Sequence, residues 1–577
     1  MFNLAKRVSG VFAVAIFSVS GANAASGNSA DLLKYIPADT PYVIASTEPL
    51  PTKLAAKLEP TVDEILQSYQ SILRYVMTDQ LAKLSSQEDG EDKAAQLQGV
   101  GEEFLSLMSL EGIRGAGIER DSAFALYGNG LLPVLRFELS KSELFNAAVE
   151  RIEEKAGESL LIGEAKGAPY KYFDADKMKL IIATLDDQAV ITVVPSSFDE
   201  TQVAAALGVK APRKNLKKSK VLRAIGKEYG FSDYLVGFVD NQRIAGIFAG
   251  NATDGDKELF AAIGEQPPEL TDVCSAEVME MASVAPRIVF GYSDITTQQL
   301  SSTMIVELRE DIAAGLATIP AAVPGLGIDH GGFMSFGFGM NPMALREFYE
   351  ARLDAMEADP LECERFADLQ AGVVKGRAAL NKPLPPVVYS FRGFVANIAD
   401  IQGMDMTSGT PPESIDASIL VAVENAESLV MLAAMMDPQI AALNLVSDGK
   451  PVKLDLTQLA EIADVAFAAL SANALSVSLG AGAESNSADM LVADSADPAP
   501  FMSMSMDSAR YYAMVGEAMS KEQPADAQAD GEPMPDEIRS AMRDIMALSG
   551  NMYKRLSVDV RFTQRGIELG GLMKLSD

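Results

Sequence analysis

The hydrophobic positions of this chain keep changing period, and the changes divide it into elements. In "KYIPADTPYVIAS" a proline-bounded turn over 37–40 runs into a predicted strand at 42–45. Apolar residues then recur at helical spacing, with Ile65, Tyr69, Ile72 and Val76 on one face, predicting a helical insert over 61–110 broken by the polar "SSQEDGEDK". From 121 the period shortens. "FALYGN" and "LPVLRFELS" read as paired strands, and Ser140 is placed to cap the helix "KSELFNAAVERIEEKAG", which stops at Gly157. "YKYFDAD", "KMKLIIATL" and "AVITVVP" follow as strands, the last two joined by an Asp186-Asp187 turn, before a helix over 199–207 that ends at Gly208.

A similar order returns near the C-terminus. "ASILVAVEN" precedes an Ala/Met-rich helix at 426–436, then "KPVKLDL", a helix from Leu456 and the strand "NALSVSLG". "FMSMSM" and the helix "DSARYYAMVGEAM" come next, and "RLSVDVRFTQ" with "GIELGGLMKL" forms a hairpin around Arg565-Gly566. Between the two stretches, 285–401 again alternates strands and helices. The expected class is therefore α+β: repeated modules of largely antiparallel sheet with helices packed on one face and an internal duplication. Three modules are expected, 25–260 with its insert 61–110, 261–410 and 411–577. Two stretches read as polar excursions, "AGAESNSADMLVADSADPAP" at 481–500 and a mobile acidic loop at 521–537.

The first residues change where this fold is expected to reside. Lys6 and Arg7 precede an apolar run over 8–19, and Ala22-Asn23-Ala24 fits the small-residue rule for cleavage between Ala24 and Ala25. The run falls short of the ~20 residues a membrane-spanning helix needs. A signal peptide at 1–24 thus predicts export, to the periplasm or beyond, with no transmembrane span once it is removed. The alternating segments are too few and too separated for an outer-membrane barrel.

In an oxidising compartment the only two cysteines, Cys274 and Cys363, are expected to form a disulfide. Charge removes another class of partner. With 80 acidic residues against 48 basic ones, the net charge of −32 repels phosphate backbones and anionic membrane surfaces, so nucleic acid is excluded.

Candidate chemistry is sparse. "GIDHGGF" holds the single histidine, His330, in a His-Gly-Gly pair like that of some lipase oxyanion loops. A serine hydrolase would need a second histidine as base and a Gly-x-Ser-x-Gly elbow, and neither occurs, so His330 reads as a turn residue. The Ser-x-x-Lys match at Ser447 and Lys450 lies in an Asp-Gly turn, and the pairs Asp174/Asp176 and Asp254/Asp256 read as solvated loops. No catalytic residue and no cofactor is assigned. In "FMSMSMDS" a strand would set the thioethers of Met502, Met504 and Met506 on one face. Such soft ligands suit Cu(I), although methionines also fill apolar cores.

"KYIPADTPYVIAS", "LPVLRFELSKSELFNAAVERIEEKAG" and "CSAEVMEMASVAPRIVFGYS" resemble segments of an uncharacterised family of large secreted bacterial proteins that open with Leu/Ile-Pro-Ala-Asp-Thr. The resemblance implies an envelope-located α+β protein and carries over no site residue. The expected function is a soluble, non-enzymatic binding or interaction protein of the cell envelope, its partner a protein, a lipid or a small molecule. Two alternatives stand beside it: a carboxylate-based hydrolase of envelope glycans, and a methionine-based copper or cation handler.

Overall fold

A computed structural model describes residues 29–85, 90–266, 269–404, 412–455, 463–520 and 535–577. The signal segment, the proposed helix at Leu456 and most of the 521–537 loop lie outside the described residues. The fold is α+β, and the chain forms two compact units: 1–270 with 287–300 and 524–552, and 271–286 with 301–523 and 553–577. This division cuts across the three consecutive modules expected from the sequence.

Among the described residues unit 1 carries nine strands: β1 (Tyr42–Ser46), β2 (Phe124–Asn129), β3 (Leu132–Glu138), β4 (Leu161–Ala165), β5 (Ala168–Ala175), β6 (Met178–Leu185), β7 (Gln188–Pro195), β8 (Val236–Asp240) and β9 (Arg287–Ile295). Every pairing is antiparallel, in the order β4-β5-β6-β7-β3-β2-β1-β8-β9. Local sequence explains much of this. Asp186 takes a positive φ of 51° in the tight turn between β6 and β7, a conformation Asp tolerates. Asp199 caps the Glu200–Ala206 helix in a capping box with Gln202. Ser140 does not cap the following helix; its hydroxyl donates to the Gly117 carbonyl, and the helix runs Ser142–Ala156 from Lys141. The long helix begins earlier than expected, at Thr52, and contains Pro60.

Arg136 on β3 is fully buried. Its guanidinium donates to the Leu207 carbonyl at the end of the Glu200–Ala206 helix and to Gln188 Oε1 at 2.6 Å, so a cation sits at the negative end of the helix.

Unit 2 holds most of β10 (Gln299–Glu307) and all of β11 (Met334–Gly339), β12 (Phe391–Gln402), β13 (Ser414–Val423), β14 (Val452–Lys453), β15 (Ala466–Leu470), β16 (Ala474–Leu479), β17 (Met502–Asp507), β18 (Tyr553–Thr563) and β19 (Gly566–Leu575). Their order is β10-β19-β18-β17-β11-β12-β13-β16-β15-β14. The run β6-β7-β3-β2-β1-β8-β9 of unit 1 therefore reappears in unit 2 as β15-β16-β13-β12-β11-β17-β18. A helix follows β3 and β13 alike (Ser142–Ala156, Ala426–Met436), and another follows β7 and β16 (Glu200–Ala206, Ala483–Val492). The duplication covers seven consecutive strands of each pairing scheme and takes in strands outside the two stretches in which the sequence displays it. The 481–500 stretch is correspondingly no excursion. Its small residues form the Ala483–Val492 helix, with Ala483, Ser487, Met490 and Leu491 buried.

The helix before the penultimate strand is exchanged. Asp272–Val284 precedes β9 of unit 1 yet belongs to unit 2, whereas Asp536–Met552 precedes β18 of unit 2 yet packs along Thr52–Ser85 in unit 1. The disulfide fastens the first of these. Cys274, in the first turn of Asp272–Val284, is bonded to Cys363, with Cα atoms 4.9 Å apart. One turn on, Glu277 accepts the N–H groups of Glu362 at 2.6 Å and Cys363 at 3.1 Å. At the far end Arg309 pairs with Glu280 at 2.5 Å, and its N–H donates to the Val284 carbonyl at 3.0 Å.

The bridge spans 89 residues of sequence. Chain entropy for a loop of this size predicts that replacing both cysteines by serine lowers unfolding stability by about 4.6 kcal/mol. The measurement is denaturant unfolding of the oxidised protein and the double variant, and equal midpoints would refute the prediction.

Candidate functional site

The residues singled out by their chemistry are each tied to a structural task. His330 Nε2 donates to the Gly325 carbonyl at 2.7 Å, which folds the ring back onto its own loop. Asp256 is buried, accepts the Leu131 N–H at 2.9 Å and completes the capping box of the Asp254–Ile263 helix with Thr253, so it does not face Asp254 as a catalytic pair. Asp174 accepts from Ser196 at 3.2 Å, and Asp176 sits at a turn with φ 66°. Ser447 donates to Glu427, while Lys450 pairs with Asp448 at 2.7 Å. Among the described residues no group of three or more His, Cys, Asp or Glu side chains could hold a metal ion.

The methionine row leads elsewhere. Met502, Met504 and Met506 share a face of β17, as the alternation predicts, but residues two apart on a strand lie ~7 Å from each other. Their β11 partners are Phe338, Phe336 and Met334, and their β18 partners are Val560, Val558 and Leu556. The three methionines stand in a row along the strand, with apolar side chains as neighbours on both sides.

Following the registers outward, the same face carries Phe394, Ala396 and Ile398 on β12, and Val421, Ile419 and Ala417 on β13. Beyond β18 it carries Leu569, Gly571 and Met573 on β19. No charged or hydrogen-bonding side chain interrupts these six strands. All of these residues are at least partly exposed, with Val558 at 39% and Ile419 at 49%. Phe336, Phe338 and Phe394 lie edge to face, with Phe394 5.6 Å from Phe336 and 5.0 Å from Phe338. At ~4.8 Å between strands the face is more than 20 Å wide.

Over β11, β13 and β16 the opposite face is buried and carries smaller and more polar residues. Ser335, Gly337 and Gly339 of β11, Ser505 of β17, Ser418 of β13 and Ser476 and Ser478 of β16 all point inward, beside Val395 and Leu420. Chain packed closely against β11 accounts for this. A Cβ on Gly339 would stand 2.1 Å from the Ala321 carbonyl oxygen, and one on Gly337 would meet the Phe394 carbonyl oxygen at 2.7 Å and the Leu326 side chain at 3.1 Å. The hydroxyls are satisfied internally: Ser478 donates to Ser418 at 2.8 Å, and Ser476 donates to the Ser487 carbonyl. Large side chains on β11 fit only on the open face. Unit 1 has a related face, formed by Ile44, Leu126, Leu135, Ile191 and Phe290, all partly exposed, although Phe145 and Val149 of the Ser142–Ala156 helix cover part of it.

The "GIDHGGF" loop sets the register of β11, and an arginine that no sequence signal marked holds the loop. Arg555, buried at the start of β18, reaches Asp329 at 2.6 Å, the Gly332 and Gly331 carbonyls at 2.8 and 3.1 Å, and Ser505 Oγ at 2.7 Å. Lys574 of β19 pairs with the other Asp329 oxygen at 3.0 Å. Gly332 has φ +70°, and a Cβ there would lie 2.7 Å from Ala399 Cα, so the position requires glycine. Because side chains alternate, a one-residue slip of β11 would bury Phe336 and Phe338 and expose Ser335 and Gly337.

Partial burial raises the Asp329 carboxyl pKa, but the Lys574 hydrogen bond, the Gly331 N–H and the charges of Arg555 and Lys574 outweigh this and hold it below the usual carboxylate range.

Comparison with protein-family models, with curated proteins and with solved structures gives no match.

A carboxylate with a depressed folded-state pKa stabilises the fold above its ordinary pKa of about 4, and that contribution is lost as pH falls through the lower, folded-state value. Asp329→Asn should therefore be less stable than the parent at pH 7, and the gap should narrow progressively below about pH 4. Thermal unfolding across pH reads this directly. A gap of constant size down to pH 2 would show that the ionised carboxylate is not what holds the loop.

Proposed function

We propose that this protein is a non-enzymatic binding protein of the cell envelope, and that it seats an apolar, acyl-chain-bearing molecule on the open face of the unit 2 sheet. The observation that carries this reading is a contiguous face of Phe, Met, Val, Ile and Leu, uninterrupted by any charge or hydrogen-bonding side chain, left partly exposed on the central strands of unit 2. Fully burying one such side chain is worth about 1.5–3 kcal/mol, and contiguous apolar surfaces left open by a folded protein mark places where something binds. A peptide or sugar would need hydrogen-bonding partners that this face lacks, while a hydrocarbon chain needs none. The unbranched, adaptable methionines of β17 suit a chain of variable shape. Supporting the envelope setting, the N-terminal segment has the pattern of a signal peptide, Cys274 and Cys363 are bonded, and among the described residues no helix is long and apolar enough to cross a membrane.

Titration of the delipidated full-length protein with a fluorescent fatty acid tests the reading. Saturable binding with a negative heat-capacity change is expected, together with only slight salt dependence. Val558→Asp and Ile419→Asp place a carboxylate on the most exposed part of the face, and each should weaken binding by at least about tenfold, or 1.4 kcal/mol. Parental affinity in both variants would move the ligand elsewhere, and the absence of any saturable binding to the parent would end the proposal.

A further inference from the structure

The outer side of the Ala426–Met436 helix is a second apolar surface, turned away from the sheet face, whose Val421 edge the helix's inner side covers. Its inner side packs Leu429 and Val430 against the cluster of Val423, Ala426 and Leu470. Its outer side exposes Met431 at 66%, Leu432 at 49%, Met435 at 80% and Met436 at 82%. These residues fall at i, i+1, i+4 and i+5, one continuous helical stripe.

The duplication indicates what fits there. Counting from the N-caps, Lys141 and Asn425, the residue ten positions on is Arg151 in unit 1 and Met435 in unit 2. In unit 1 that position is flanked by another helix, Gly90–Ser106: the exposed Arg151 pairs with Glu103 at 2.6 Å, and Gly99 lies against the Lys155 backbone. At Met435, 80% exposed, the equivalent surface is open among the described residues. Carboxylates stand at both ends of the stripe, Glu427 one turn before Met431 and Asp437 directly after Met436, while the nearest lysines in sequence, Lys450 and Lys453, follow the helix and Lys450 is paired with Asp448. Arg392 pairs with Glu424, but Glu427 accepts from the Ser447 hydroxyl and Asp437 from the Gln439 N–H, neutral donors that leave both charges in place.

We propose that this methionine-rich stripe docks a basic amphipathic helix of another protein. The apolar stripe supplies an adaptable contact, as methionine-rich surfaces do for helices of varied sequence, and the acidic rim selects lysine- or arginine-bearing partners over acidic ones.

The test is fluorescence anisotropy of the full-length protein with two labelled helical peptides. They share one Leu/Met face and carry either lysines or glutamates on the other. The lysine peptide should bind at least about tenfold tighter than the glutamate peptide, with an affinity that falls as salt is added. Met435→Asp combined with Met436→Asp should weaken binding of the lysine peptide by at least about tenfold. Thermal unfolding serves as the fold control, so this proposal and the ligand reading fail separately. If the double variant unfolds, Met435→Gln alone should still cost about threefold. Equal affinity for the two peptides, binding of neither, or parental affinity in the variants would overturn the proposal. So would a dimer of the parent that Met435→Asp dissociates, because the stripe would then be occupied by a second copy.

Discussion

The close approach of residues 319–326 to β11 is the constraint on which the unit 2 sheet depends. Where a backbone carbonyl lies within van der Waals reach of the strand, as that of Ala321 does beside Gly339, no side chain can point inward. The strand then carries Ser335, Gly337 and Gly339 on its packed side, and Met334, Phe336 and Phe338 are left for the other. Neighbouring strands follow by registry, since paired residues share a face. The serines of β13, β16 and β17 turn inward, where they bond to one another, to the helix behind or to Arg555, and the hydrophobic residues turn outward. An ordinary two-layer arrangement would place these characters the other way round. The buried side gains close backbone packing, and the open side keeps its apolar area available.

Such a sheet needs a register that cannot slip, and the latch formed by Arg555, Asp329 and Lys574 answers that need. A guanidinium buried with one carboxylate, two carbonyls and a hydroxyl has its charge and most of its donors satisfied, and withdrawing any of these partners would be costly. The loop so held begins β11 with its aromatic residues already directed to the open side. The single histidine contributes to this loop as a ring hydrogen-bonded to a carbonyl.

The exchanged helices place a second demand on the chain. Unit 1 is completed by residues 536–552 and unit 2 by residues 272–284, so neither half of the sequence contains a whole unit. The disulfide has its meaning in this setting. It fastens a helix that lies, in sequence, between two parts of the other unit, with Glu277, Glu280 and Arg309 securing the same helix by hydrogen bonds and an ion pair.

Local signals determined much by themselves. Alternation marked β2, β3, β6, β7 and β16, Gly208 marked the end of the helix before it, and two lone cysteines implied their bridge. The row of Met502, Met504 and Met506 was legible as a shared face because a strand's period is two whatever surrounds it. Which side of that strand would be packed was not legible, because β17 takes its faces from pairing with β11, more than 160 residues earlier, and it is β11 that Ala321 and Leu326 close on one side. The helix at 483–492 was hidden for a related reason: its alanines and serines look like a linker until the serines of β13 and β16 give them a surface to approach closely. Arg555 carried no signal, since its partners lie 50 to 226 residues distant. The sequence thus determined the elements and their periodicity, which arise from contacts within a few residues. Only the tertiary structure decided which face was closed and which helix completed which unit, because those outcomes depend on close packing between segments far apart in the chain.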